Sequence, residues 1–74
     1  MTLHTITALP DGERVHALFL GYGDGTYDFE VTGLGTVGIP EADLRVAGDL
    51  DVVMRGEDMN LKREEDTVVV WRVV

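Results

Sequence analysis

Short apolar runs broken by Gly, Pro and acidic residues recur about every eight to ten positions along the chain, a rhythm of strands and tight turns. Residues 2–9 alternate Leu3, Thr5, Thr7 and Leu9 with His4, Ile6 and Ala8, which predicts a strand. Pro10-Asp11-Gly12 predicts a turn, because Pro presets one dihedral and Gly accepts a left-handed one. Residues 13–20 then form the expected second arm of a hairpin, with Val15, Ala17 and Phe19 opposite His16, Leu18 and Leu20. Gly21-Tyr22-Gly23-Asp24-Gly25 reads as a flexible turn. After it Tyr27, Phe29 and Val31 alternate with Asp28, Glu30 and Thr32, giving one apolar face and one wet face.

Gly33-Leu34-Gly35 reverses the chain into a short strand around Val37 and Ile39. Pro40-Glu41-Ala42-Asp43-Leu44 predicts one turn of 3₁₀ or α helix: Pro suits the first position, the acids suit the positive end, and Leu44 plugs the core. A strand is expected over 50–55, with Leu50, Val52 and Met54 on one face, and a weaker one over 59–63. Glu64-Glu65-Asp66 is a charged hairpin tip that guards the solubility of the run behind it. That run, 67–74, sets Val68, Val70 and Val74 against Val69, Trp71 and Val73, broken only by Arg72. A strand apolar on both faces must be covered on both, either centrally in the fold or by a partner.

Long amphipathic helix patterns are missing, and eleven valines favour a pleated surface. The expected fold class is therefore all-β: one domain over 1–74, a small closed or nearly closed barrel of SH3-like or OB-like form. It is built of 5–7 short antiparallel strands with one helical turn near 40–44; a two-sheet roll is the alternative. Closure also protects the edges of valine-rich strands.

Composition narrows the chemistry. With 74 residues, no Cys and two His, the chain is held by neither disulfides nor a zinc cluster. Ser and Gln are absent too, which removes Ser and Cys nucleophiles. Fourteen acids against six bases give a net charge of −8, the wrong sign for a phosphate partner. No apolar run approaches the roughly 20 residues of a membrane span, and no signal peptide opens the sequence. It is read as a complete small frame of viral or mobile-element type, expected in the cytoplasm, or in a virion if it belongs to an assembly, and not secreted.

Several patterns suggest chemistry and are outweighed by simpler readings. Gly33-Leu34-Gly35-Thr36-Val37-Gly38 has the spacing of a dinucleotide-binding loop, but Ile39-Pro40 stands where the helix should start, so these are turn glycines. Asp24, Asp28 and Glu30 offer oxygen ligands without the spacing of a calcium loop. His4 and His16, on strands expected to be adjacent, lack a third ligand. No metal, cofactor or catalytic residue is assigned, and the chain is read as a non-enzyme.

Two features remain as candidate sites. Asp28/Glu30, Glu41/Asp43 and Asp49/Asp51 are i, i+2 acid pairs, which an extended strand holds about 6.8 Å apart on one side, near the spacing of backbone phosphates. Asp24, Asp28, Glu30, Asp49 and Asp51 are accordingly an acidic face for a basic, even nucleic-acid-binding, protein surface. Trp71, Val69 and Val73 are an apolar anchor for a partner or a second copy, by strand addition in an assembly. The leading function is an acidic accessory or inhibitory protein, with DNA mimicry as one form of it. A structural subunit is the alternative, and an OB- or SH3-type nucleic-acid module is disfavoured by charge.

Overall fold

The computed structural model describes residues 4–46 and 56–73. It is all-β: one six-stranded mixed sheet and two isolated 3₁₀ turns. The strands are β1 (Arg14–Gly23), β2 (Thr26–Val31), β3 (Gly35–Pro40), β4 (Leu44–Val46), β5 (Asp58–Glu64) and β6 (Thr67–Arg72), ordered β3-β2-β1-β5-β6-β4. Four neighbouring pairs are antiparallel, and β4 lies parallel to β6. The expectation of an antiparallel set is corrected there. The 3₁₀ turn Glu41–Asp43 carries the chain from β3 at one end of the sheet to β4 at the other, and that crossover sets β4 running with β6. The two end strands, β3 and β4, are not paired with each other, so the sheet is not closed among the described residues.

Alternation explains the core. Ala17 and Phe19, Phe29 and Val31, Val37 and Ile39, Met59 and Leu61, and Val68 and Val70 all point to one side and are buried together. Phe29 stands opposite both Phe19 and Val37 in the strand register, and its ring lies 5.4 Å from that of Phe19. Among the described residues the sheet has no second layer to bury its apolar face against, and it curls around its own side chains. The opposite face is consequently the convex outside. No buried side-chain polar atom among the described residues lacks a partner.

Two elements depart from expectation at the start. Residues expected as the strand 2–9 instead make a single bridge at His4, to Val37 beside β3, and a 3₁₀ turn at Ile6–Ala8; residues 1–3 lie outside the described set. The hairpin through Pro10-Asp11-Gly12 is therefore absent, and β1 pairs with β2 and β5. The reason is competition: β2 and β5 supply longer apolar faces than the Thr-rich opening. Leu9, 2% exposed, becomes a core plug at the end of that segment.

β1 also runs on through Gly21 and Tyr22, which were expected in a turn. A bulge between Phe19 and Gly21 leaves Leu20 without a partner in β2. The extra residue shifts the side-chain alternation by one, so Tyr22 faces Tyr27 with ring centres 4.5 Å apart. The turn is shortened to Asp24-Gly25, both left-handed (φ 53° and 75°), the backbone that two-residue hairpin loops require. The expected strand over 50–55 lies outside the described residues. The short strand expected over 59–63 is β5, which is central: Met59 and Leu61 are fully buried. The helical turn near 40–44 is present at Glu41–Asp43, with Leu44 packed on the core.

At the β5–β6 tip, Glu65 holds a left-handed backbone (φ 57°) that costs a side chain with a Cβ about 1–2 kcal/mol. Asn tolerates this conformation better. Glu65→Asn is expected to raise stability by up to about 1 kcal/mol, checked by the urea midpoint. Its backbone bond to Asp11 is unaffected by the change.

Candidate functional site

Strand register fixes what shares the outward face. Residues opposite one another across neighbouring strands point the same way, and those two apart along a strand do so as well. One outward row runs Thr36–Glu30–Leu18–Asp58 across β3, β2, β1 and β5. The next, along β1, β5 and β6, is His16–Asn60–Trp71, and the third is Arg14–Lys62–Val69–Arg45, reaching β4.

The acidic candidates separate on this surface. Asp28 and Glu30 lie on the outward side of β2, and Glu30 accepts a hydrogen bond from Thr36 Oγ1 at 3.3 Å. Asp24 is at the β1–β2 tip, beyond the face. Glu41 and Asp43 sit in a 3₁₀ turn, so the strand spacing required of that pair is lost. Asp49 and Asp51 lie outside the described residues. Among the described residues the phosphate-like spacing thus survives only at Asp28/Glu30.

Trp71 and Val69 are half-buried on the same outward face, while Val68 and Val70 fill the core side. Among the described residues the run is fully buried on its core side and only half-buried on its outward side, which departs from the expectation of a strand covered on both faces within the fold. β6 is an interior strand, paired with β5 along its length and with β4 over 68–70, so strand addition along that stretch has no open edge. Val73, 45% exposed, lines with Trp71, Asn60, His16 and Arg14 a shallow polar depression of about 400 Å³.

His16 links the acidic and aromatic halves. Its Nδ1 is 3.1 Å from Thr32 Oγ1 and its Nε2 is 3.0 Å from Asp58 Oδ1. His4 is elsewhere, bridged to β3 with β2 lying between it and β1. The structure does not assemble the two imidazoles. Gly33-Leu34-Gly35 is a turn leading into β3, and no helix follows it. Among the described residues no three His, Cys, Asp or Glu converge as metal ligands.

No family model matches the chain, and no curated protein or solved structure matches it. The site must be read from its own geometry.

Sequence reasoning missed the row Arg14–Lys62–Arg45. Those cations are far apart in the chain, and the only signal was their parity within each run, which becomes a row once the strands are paired. A second missed contact is at the hairpin end, where the exposed Tyr22 hydroxyl donates to Glu41 Oε2 at 2.9 Å. That bond, then desolvation and the Glu41 charge, hold the phenol above its ordinary value near 10. Because the folded value is raised, the contribution to stability is complete below pH 10 and is lost as pH climbs through the folded value. Glu41→Gln is expected to move Tyr22 back toward 10 in a tyrosine ring-carbon NMR titration; an unmoved curve would contradict the assigned cause.

Proposed function

We propose that this protein is a non-catalytic binding module whose outward sheet face docks on a partner protein with a basic surface. Asp28 and Glu30 on β2 steer the partner, and Trp71 with Val69 and Val73 supplies the anchor. The observation that carries this reading is the strand register, which puts both groups on one convex face with only β1 and β5 between them. Further support is that the described core is apolar throughout, and that the apolar cavity beside it, by Phe19, Leu44 and Val46, is about 80 Å³, too small to enclose a substrate. The curled sheet with one shared core is read as an open SH3-like or OB-like barrel, a scaffold that presents a face with a shallow depression on it. The accessory or inhibitory role then follows from occupying a basic groove. Imitation of a nucleic-acid strand rests on Asp28/Glu30 alone and is the weaker form of the same idea.

Electrostatic steering makes such docking salt-sensitive. Proteins retained from host extract by the immobilised chain at 50 mM salt should elute by about 0.5 M, a range over which screening shortens from roughly 14 to 4 Å. Asp28→Lys/Glu30→Lys should lower retention at least 10-fold. Retention that survives high salt and the double substitution would overturn the acidic docking face.

A further inference from the structure

One row of the outward face is cationic, in a protein with more than twice as many acids as bases. Arg14 on β1 stands directly opposite Lys62 on β5, Lys62 opposite Val69 on β6, and Val69 opposite Arg45 on β4. Like charges set directly opposite repel, and a sheet ordinarily offsets them with a neighbouring acid. Among the described residues none of these three side chains has an ion pair or a side-chain hydrogen bond, whereas Arg72 is bonded to Glu57 and Arg63 to the carbonyls of Leu9 and Glu65. Cations without a direct ion pair, in a chain with acids so plentiful, fit a surface kept for a ligand.

The adjoining row holds Trp71, half-exposed, with Asn60 and His16 beside it. Rows lie about 6.8 Å apart and strands about 4.8 Å apart, which puts Lys62 and Arg45 about 8 Å from Trp71, and Arg14 about 12 Å from it, along the sheet. Arg14, His16, Asn60 and Trp71 line the same shallow depression on this face, and a flexible chain can follow the surface into it. The ligand that joins regular negative charge, flat rings and flexibility is a single-stranded nucleic acid.

We propose that Arg14, Lys62 and Arg45 with Trp71 form a track for single-stranded nucleic acid, phosphates on the cationic row and a base stacked on the indole. This goes beyond the protein-docking function, whose steering acids lie on β2; the two share Trp71 and differ in the charged groups they use. The net charge of −8 opposes the approach of a polyanion. Screening confines that repulsion to about 8 Å at physiological salt, leaving the local sign to govern contact. Glu64, one position along the outward side of β5 from Lys62, and Asp58, engaged by His16, border the track.

Trp71 is the sole tryptophan, so its emission reports stacking directly. Titration with a 12-nucleotide oligothymidylate at 20 mM salt should quench it. Three phosphate contacts on a single strand predict a slope of log K against log salt of about −2. Arg14→Ala and Arg45→Ala, at exposed positions, should each reduce the slope by about 0.7. Lys62→Glu should weaken binding at least 10-fold with the circular dichroism spectrum unchanged. Trp71→Phe should weaken binding measured by oligonucleotide anisotropy. Absence of quenching at 20 mM salt, a slope indifferent to Arg14 and Arg45, or equal affinity for poly-glutamate would each overturn the proposal, the last in favour of an acidic peptide. Asp28→Lys/Glu30→Lys should abolish docking to a basic protein and leave oligonucleotide binding intact or stronger, so the two readings fail separately.

Discussion

Phe29→Ala should take away most of the protein's stability and bring it to the edge of unfolding at room temperature. Phe29 is 2% exposed, sits on the middle strand of the β1–β2–β3 meander, and packs its ring on Phe19 at 57° between planes. Truncating a buried aromatic costs about 3–5 kcal/mol, the lost transfer energy plus the cavity left behind. A domain of this length commonly has a total stability of about 4–11 kcal/mol, and small domains lie toward the lower end. Phe29→Leu keeps most of the volume and should cost about 1–2 kcal/mol. Urea unfolding followed by Trp71 fluorescence separates the two. Equal midpoints for wild type and the alanine variant would mean that the sheet does not curl around this residue.

Arg63→Ala should be the most damaging change at a partly exposed position. The Arg63 guanidinium donates to the Leu9 carbonyl from Nη1 at 3.0 Å and to the Glu65 carbonyl from Nε at 2.8 Å. Its own carbonyl accepts from Gly12 N–H, and Glu65 N–H donates to Asp11 Oδ1. One side chain thus ties the segment bearing the Leu9 plug to the β5–β6 tip. Hydrogen bonds to a charged group contribute about 1.5–3 kcal/mol, and their loss leaves a part-buried carbonyl unpaired. For a domain this size each kcal/mol shifts the midpoint by about 4–8 °C, so a fall of about 10 °C or more is expected. Arg63→Lys should recover only part of it, because an ammonium lacks the planar fork that reaches both carbonyls. Full recovery by Lys would show that charge, and not the fork, holds the segment.

These two residues illustrate different degrees of legibility. Phe29 was readable as core from the Tyr27, Phe29, Val31 alternation, because period two on a strand is set by covalent geometry. Arg63 was not readable at all: its partners are a carbonyl 54 positions away and one in its own turn. The opening segment failed for a related reason. Its alternation was genuine, but a strand needs an edge to pair with, and β1 gives both of its edges to β2 and β5. Tyr22 failed through the bulge at Leu20, a one-residue slip that reverses every later side chain and leaves no mark in composition.

The candidate face divides in the same way. Asp28 and Glu30 were found by spacing along one strand, and Trp71 with Val69 by parity along another. Joining them on one surface required the strand order, as did recognising Arg14, Lys62 and Arg45 as neighbours. Sequence alone determined the strand-and-turn rhythm, the all-β class, most inward positions, the helical turn after Pro40 and the absence of disulfides, because each follows from local geometry or from counting. The tertiary structure alone decided strand order, the parallel β4–β6 pair, the bulge and the cationic row. Those depend on which apolar face each strand finds to bury against, a choice made between segments distant in the chain.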